Sequence, residues 1–182
     1  MARRDERAWT SAMTFKRSFP PVVDARTRVL ILGSLPGEAS LAQQQYYAHK
    51  QNKFWALVGE AIEQNLVGMD YATRLDTLLE YRIGLWDVVA EARRIGSLDS
   101  RIRDHASNDL IALVDTLPNL ATIAFNGGTA AKIGMNTLGE RGGQYRLLRL
   151  PSSSPAYASV TYAEKLAVWR QLRQSNDASG RV

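Results

Sequence analysis

Cysteine is absent from this 182-residue chain. Without thiols the chain has no disulfide bonds, no zinc sites built on thiolates and no cysteine nucleophiles. The two histidines, His49 and His105, lie far apart in the sequence, and no metal-ligand spacing accompanies them. A Gly-x-Ser-x-Gly segment is missing too, which counts against a Ser-His-Asp hydrolase. We therefore expect no metal and no other cofactor.

A run of about 18 apolar residues, the length that a membrane span needs, is also missing. Residues 1–7 carry three arginines and two acidic residues instead of the apolar stretch of a secretory signal. We therefore expect a cytoplasmic protein without a membrane partner. The remaining composition, 45% hydrophobic and 23% charged, is ordinary for a globular chain and favours one domain with its own core.

The net charge of +5 is unevenly distributed. Residues 1–28 contain seven Lys/Arg against three Asp/Glu, and residues 141–182 contain seven against two. Residues 29–140 are acidic, with nine against thirteen. Basic ends suit a polyanion such as nucleic acid, but a solvated surface explains them equally well.

Four short, mainly apolar runs have the pattern of strands, and the first two have the pattern of buried strands typical of parallel sheets. Helical spacings of apolar residues alternate with these runs. The alternation predicts an α/β fold, a three-layer α/β/α sandwich with a central, mainly parallel, four-stranded sheet. The predicted strands cover residues 28–33, 83–89, 121–125 and 145–150, and the predicted helices cover residues 54–66, 73–81, 108–117, 129–138 and a segment from about 161.

The helix ends and the two termini carry local signals. Asn108 is placed as an N-cap, and Thr161 with Glu164 fits a capping box. We expect a basic N-terminal extension over residues 1–20, a single domain over residues 21–174 and a disordered tail over residues 175–182.

The carboxyl ends of the predicted strands are rich in glycine, proline, small hydroxyls and single polar groups. Ligands of open α/β sheets bind beyond these ends, so we expect a site there that a ligand approaches closely. Each segment also has an ordinary explanation: a simple turn, a structural carboxylate or a generic Ser/Pro loop. The four ends are residues 33–37 (GSLPG), Asp87, residues 126–128 (NGG) and residues 151–155 (PSSSP).

Residues 43–55 form the densest polar and aromatic stretch. Aromatic rings stack on nucleobases, and amides read their hydrogen-bonding edges. Phe54 and Trp55 are expected in the core of the following helix, whereas Tyr46 and Tyr47 need partners for their hydroxyls if both are buried. Asp87, among apolar residues, also needs a partner, either a structural group or an N–H of a ligand.

Together these segments resemble the uracil-DNA glycosylase superfamily, from about residue 28 to residue 169. Residues 33–37 resemble its water-activating loop, and residues 150–154 resemble the intercalation loop of the mismatch-specific branch. Residues 47–55 (YAHKQNKFW) resemble a motif of that branch, with Lys50 in place of a proline. Residues 84–89 (GLWDVV) and 96–100 (GSLDS) resemble the hypoxanthine-DNA glycosylase family specifically. No single motif is specific to the superfamily, but the order and spacing of the motifs together are.

One position departs from the superfamily pattern. Leu35 stands where relatives commonly place the Asn or Asp that positions the attacking water, and a leucine cannot bind water. The resemblance implies that catalysis relies on Asn52 instead, with Ser34 as a second catalytic candidate and Glu38 as a fallback. The substitution argues for the hypoxanthine (deoxyinosine) branch and against an efficient uracil enzyme.

The resemblance also implies roles in DNA binding. Tyr47 would stack on a base flipped out of the duplex, beside Leu35. Asp87 would accept from the N1–H of hypoxanthine, and Asn126 would donate to its O6. The apolar residues of the last loop would fill the gap in the duplex. The predicted DNA-binding residues are Ser152, Ser153 and Ser154 for phosphates, and Pro155, Ala156 or Tyr157 for the gap.

We thus predict a monomeric, monofunctional DNA repair enzyme. It would act on nucleoid DNA of a bacterial-type cell, cut the N-glycosidic bond of a deaminated base and leave an abasic site. No lysine is placed for lyase chemistry, although Lys50 and Lys53 flank the site. Three alternatives stay open: a uracil or broad deaminated-base enzyme, a non-catalytic nucleic-acid-binding module, and a small-molecule nucleotide-binding protein.

Overall fold

A computed structural model describes residues 15–177. Its centre is a four-stranded sheet with the strand order β3-β2-β6-β7, and every neighbouring pair is parallel. Parallel strands buried on both faces need mostly apolar side chains, as β2 has, whereas β7 at the edge of the sheet carries the exposed Arg146 and Arg149. The strands are β1 Phe15–Arg17, β2 Val29–Gly33, β3 Ile83–Asp87, β4 Val89–Arg93, β5 Arg103–Ser107, β6 Thr122–Asn126 and β7 Arg146–Leu150.

Helices cover both faces of this sheet. Val29 and Ile31 of β2 point into one core, which contains Phe54 and Trp169. Leu30 and Leu32 point into a second core on the other face. The predicted three-layer sandwich is therefore confirmed. The helices are α1 Glu38–Gln43, α2 Phe54–Ala61, α3 Tyr71–Glu80, α4 Leu110–Asp115, α5 Gly128–Leu138, α6 Tyr162–Trp169 and α7 Gln171–Asp177, and none in the described part of the chain is long and apolar enough to cross a membrane.

A second, three-stranded antiparallel sheet was not predicted. Its order is β1-β4-β5, and β4 begins only one residue after β3 ends. Every residue of β5 is exposed, so this strand carries no alternation of apolar and polar residues from which it could be recognised. The segment from 94 to 102 joins β4 to β5 and reaches the carboxyl end of the central sheet.

Two helix boundaries differ from the prediction. The helix predicted over residues 54–66 ends at Ala61, and a separate 3-10 turn, Leu66–Gly68, follows. The N-cap of α4 is Asp109, whose carboxylate accepts from the backbone N–H of Ala112, and the predicted cap Asn108 is wrong. Asn108 instead donates its side-chain amide to the carbonyl of Asp87 at 2.7 Å. The predicted capping box of Thr161 and Glu164 is confirmed.

The predicted terminal boundaries need adjustment. Phe15–Arg17, inside the predicted N-terminal extension, pairs with β4. Helix α7 continues to Asp177, inside the predicted disordered tail, because Ser175 is buried and accepts a hydrogen bond from Arg146 Nη1 at 3.0 Å. The predictions for residues 1–14 and 178–182 lie outside the described residues.

Helix α5 packs so closely on β6 that Gly134 has no room for a side chain. A Cβ there would lie 2.4 Å from Phe125 Cε1 and 3.0 Å from Val88 Cγ1. We predict that Gly134→Ala lowers the free energy of unfolding by about 1–3 kcal/mol, although alanine favours helices. Urea denaturation measures this, with the exposed Gly143→Ala, where a Cβ meets nothing within 4 Å, as the matched control. Equal stabilities for the two variants would contradict the packing.

Candidate active site

A cavity of about 610 Å³ opens at the carboxyl ends of the four parallel strands. The structure brings every predicted site residue to this cavity. Its wall contains Ser34, Leu35, Tyr47, Asn52, Asp87 and Asn126, residues 152–157, the fallback candidate Glu38, and residues 97–100 and 127–129. Since the strands are parallel, side chains that are far apart in the sequence meet at one edge of the sheet.

Gly33, the last residue of β2, allows two polar side chains to approach the strand end. A Cβ at this position would lie 2.5 Å from Asp87 Oδ1 and 2.7 Å from the Tyr47 hydroxyl. Any larger residue would displace one of these groups. The glycine therefore makes room for these two side chains, whereas the sequence predicted the close approach of a ligand.

Asp87 is 3% exposed, and its Oδ2 has no hydrogen-bond partner among the described residues. The pKa of Asp87 is raised to about 7, chiefly by burial and also by the negative charge of Asp99, while the charge of Arg94 opposes the shift. A buried carboxylate oxygen without a donor is costly. Asp87 is thus prepared to accept a hydrogen bond from a ligand in the cavity.

Tyr47 presents a ring to the same cavity. One face of the ring is stacked on Phe54, with centroids 3.7 Å apart and planes inclined by 11°. Its backbone has a φ of 54°, which is uncommon for a residue with a side chain and costs on the order of 1 kcal/mol. Burial, and then the charge of Asp87, raise the pKa of Tyr47, so its hydroxyl stays protonated.

Asn52 lies half-buried at the start of α2. Its Oδ1 accepts from the backbone N–H of Phe54 at 2.9 Å, which fixes the side chain. The NH₂ group has no hydrogen-bond partner among residues 15–177. Asn52 therefore offers two fixed N–H donors at the cavity wall, while its oxygen is already engaged.

Asn126 is more occupied than predicted. Its Nδ2 donates to Ser153 Oγ at 2.9 Å, and its Oδ1 accepts from the Ser153 backbone N–H at 2.9 Å. Asn126 thus ties β6 to the loop after β7, and at most one amide hydrogen is left for a ligand.

The loop after β7 divides into a buried and an exposed part. Ser153 is 1% exposed and engaged with Asn126, so its hydroxyl is not available to a phosphate. Ser152 and Ser154 are partly exposed, whereas Pro155, Ala156 and Tyr157 are exposed. Lys165 supports the exposed part, because its Nζ donates to the Tyr157 carbonyl at 2.7 Å and lies 5.3 Å from the Tyr157 ring centre.

Sequence reasoning missed two residues that organise the first loop. The Arg94 guanidinium is buried and donates to the carbonyls of Leu35 and Pro36. Asp99 Oδ1 accepts from Ser34 Oγ at 2.7 Å and lies 3.8 Å from Arg94 Nη1. Asp99 stands in the GSLDS motif and was therefore detectable, whereas nothing in the sequence distinguishes Arg94 from a surface arginine.

Glu38, the fallback candidate, has a different environment. Its Oε1 lies 2.9 Å from Lys16 Nζ, and the hydrogen bond from this ammonium holds the pKa of Glu38 below its usual range. Its side chain is 62% exposed. A carboxylate that is ionised, paired and largely solvated is a weak base, so the geometry favours Asn52 over Glu38 as the group that orients water.

A parallel α/β sheet with an unpartnered carboxylate, a stacked tyrosine and a serine loop at one edge defines a site for a flat polar ring. A profile of the uracil DNA glycosylase superfamily matches residues 20–173. The chain therefore belongs to the uracil DNA glycosylase superfamily, as the motifs indicated.

Individual proteins and a solved structure are also similar to this chain. The chain is 48% identical over 141 residues to a protein of Methanosarcina acetivorans named hypoxanthine DNA glycosylase, which covers 78% of this chain and 87% of that one. It is 46% identical over 112 residues to the protein of that name from Methanosarcina barkeri, covering 62% and 71%. A solution NMR structure from M. acetivorans, named as a candidate uracil DNA glycosylase, has a TM-score of 0.76 at 44% identity and covers 88% and 99%.

The raised pKa of Asp87 predicts how stability depends on pH. The folded state holds a proton up to about pH 7, whereas an unfolded Asp releases it near pH 3.9. Stability should therefore fall as the pH rises through this window, and Asp87→Asn should remove that fall. At about pH 8 we expect the variant to be more stable than the wild type by about 1–4 kcal/mol, and near pH 4 we expect equality.

Chemical denaturation at several pH values measures this difference. The exposed Asp76→Asn, on α3, is the matched control and should follow the wild type. If Asp87→Asn also kept the wild-type pH profile, the carboxylate would not be destabilised by its burial.

Proposed function

We propose that this protein is a monomeric DNA glycosylase that releases hypoxanthine from deoxyinosine in DNA. Membership of the superfamily and the names of two relatives at 46% and 48% identity support the reaction. The observation that carries the substrate choice is the buried Asp87 Oδ2, which lacks a donor at the cavity wall. No group of three or more His, Asp or Glu residues within 15–177 is placed to hold a metal ion, and the proposal uses none.

Asp87 reads the edge of the base. Hypoxanthine has an N1–H donor, and an ionised carboxylate only accepts hydrogen bonds, so Asp87 pairs with N1–H. Adenine has a lone pair at N1 and would face the carboxylate with repulsion. Asn126 donates its remaining amide hydrogen to O6. Tyr47, backed by Phe54, stacks its other face on the ring.

The base reaches this cavity only after it has left the duplex. Flipping costs a few kcal/mol, and least for a mismatched or damaged pair. Ser152 and Ser154, with the backbone N–H groups of their loop, hold the phosphates. Pro155, Ala156 and Tyr157 are exposed beside the cavity, and one of them enters the space that the base leaves.

Hydrolysis joins the oxygen of a water molecule to C1′ and breaks the bond from C1′ to the base. The bond electrons leave with the base, which takes up a proton, and the water loses one. Positioned donors that stabilise the departing anion contribute roughly 3–4 kcal/mol each, so a strong general base is not essential. Asn52 holds and orients the water through its two N–H donors, while Ser34, fixed by Asp99, shapes the loop under the sugar. Leu35 provides an apolar wall for the base.

In this account Asn52 both accepts a hydrogen bond from the Phe54 N–H and takes part in catalysis, and two substitutions separate these roles. Asn52→Asp keeps an oxygen for the Phe54 N–H but loses both N–H donors. We predict that single-turnover excision falls by about 10²–10³ in Asn52→Asp and Asn52→Ala alike. Only Asn52→Ala should also lose the hydrogen bond from the Phe54 N–H, at about 1 kcal/mol of stability. Wild-type excision by Asn52→Asp would remove the amide from the mechanism.

The rate of excision should depend on the ionisation of Asp87. Because the ionised form accepts from N1–H, and the pKa of Asp87 is raised to about 7, single-turnover excision should rise with pH through neutrality. Rapid-quench measurements between about pH 5.5 and 8.5 test this dependence. Asp87→Asn should be slow at every pH. A flat wild-type profile would contradict the recognition of N1–H by an ionised Asp87.

Uracil is the substrate of the main alternative, because it also has an imide N–H between two carbonyls. Purified protein in EDTA, incubated with duplexes that carry one hypoxanthine, uracil or xanthine and then treated with alkali, distinguishes the substrates. Strand breaks at hypoxanthine that form much faster than at uracil support the proposal, and faster release of uracil overturns it. DNA binding without release of any base favours a non-catalytic binding module, whereas no DNA affinity favours a small-molecule nucleotide-binding protein.

A further inference from the structure

The segment that joins β4 to β5 forms a second wall of the cavity. Residues 97–100 line the cavity next to the loop after β2, whereas residues 152–157 line it at the end of β7. Strand β6 lies between β2 and β7. Two strand spacings separate the two walls by about 10 Å, the rise of about three nucleotides in one strand of a duplex.

Hydrogen bonds from other segments hold Gly96 and Ser97, at the start of this wall, in place. The carbonyl of Gly96 accepts from Arg94 Nε at 2.9 Å and from Lys16 Nζ at 2.7 Å, and both cations are buried. The Ser97 hydroxyl accepts from the backbone N–H of Glu38 at 2.9 Å. The segment is therefore fixed to the loop after β2 and does not depend on its own short strands for its position.

On either side of Gly96 and Ser97 the segment exposes apolar side chains. Leu98 is 42% exposed at the cavity wall, and Ile95 beside it is 41% exposed. Arg101 follows and is exposed, and its side chain makes no hydrogen bond or ion pair with residues 15–177. Exposed apolar side chains suit the stacked bases of DNA, and an arginine next to them suits the neighbouring phosphates.

We propose that residues 95–101 form a second DNA-binding element, which contacts the strand that carries the flipped nucleotide. Leu98 packs against the base pair next to that nucleotide, on the side opposite to Tyr157. Arg101 contacts a phosphate of the same strand. The two walls thus hold the strand on both sides of the flipped nucleotide. This proposal rests on the proposed function, since it requires a nucleotide in the cavity.

Two matched pairs of variants test the proposal. Leu98→Ala is compared with Val67→Ala, because Val67 is 57% exposed in the 3-10 turn after α2 and does not line the cavity. Arg101→Gln is compared with Arg82→Gln, because Arg82 is exposed before the amino end of β3, at the opposite end of the sheet. All four residues are exposed, so thermal denaturation should give wild-type midpoints.

The readouts are single-turnover excision and affinity for a duplex with a tetrahydrofuran abasic analogue. We expect L98A to be roughly fivefold or more slower than V67A on duplex, but within about twofold of it on single strands, where no stacking opposes flipping. We expect R101Q to lower the slope of log affinity against log salt by about 0.9 relative to R82Q. Equality of L98A with V67A on duplex, or of R101Q with R82Q in slope, overturns the proposal.

The affinity measurement separates this proposal from the proposed function. If the wild-type protein bound the abasic-analogue duplex but released no base, the proposed function would fail. A weaker affinity of L98A than of V67A, together with the lower slope of R101Q, would still support the second DNA-binding element. Equal affinities of L98A and V67A in that case would overturn it.

Discussion

The burial of the Asp87 carboxyl group is the constraint on which the rest of the site depends. Its side chain lies at the end of β3, and one oxygen has no donor among the described residues. Such a group is tolerated only if it stays protonated or finds a partner. In the proposed function, a deaminated base supplies that partner as a ring N–H. The instability of the free carboxylate and the selectivity for the base thus have the same origin.

Neighbouring residues change the free-energy cost of ionising Asp87, but none of those described gives its Oδ2 a hydrogen bond. Asp99 adds negative charge that opposes the ionisation of Asp87, whereas Arg94 favours it. The Arg94 guanidinium donates its hydrogen bonds to the carbonyls of Leu35, Pro36 and Gly96. It therefore acts on Asp87 only through the electrostatic effect of its charge. Gly33 keeps the carboxylate and the Tyr47 hydroxyl close to the strand end. The result is a rigid polar pocket whose main acceptor stays unsatisfied.

The sequence was sufficient to predict the central sheet. Each of its strands is rich in apolar residues, and the helices between the strands indicate their parallel order. Prediction failed for β5, whose five residues are all exposed and show no periodicity. It also failed for Asn108, which resembles a helix cap but donates to the carbonyl of Asp87. Local signals cannot show that a tertiary partner competes for the same amide.

The sequence indicated where the site residues would lie, but it did not indicate their hydrogen-bond partners. Strand ends and motifs brought the expected residues to one cavity. The engagement of Asn126 with Ser153 was not visible, because the two residues lie 27 positions apart and meet only when β6 pairs with β7. The anchoring role of Arg94 was hidden for the same reason. Hydrogen bonds between distant segments decide which predicted polar groups remain free for a ligand.

The central claim is that Asp87 recognises the N1–H of hypoxanthine. The most direct test compares single-turnover excision of hypoxanthine and N1-methylhypoxanthine from otherwise identical duplexes. The methyl group weakens base pairing and so favours flipping, but it removes the hydrogen that Asp87 accepts. The account predicts a loss of about 10²-fold or more for the methylated base, and a much smaller difference in Asp87→Ala. Equal excision of both bases by the wild-type protein would contradict it.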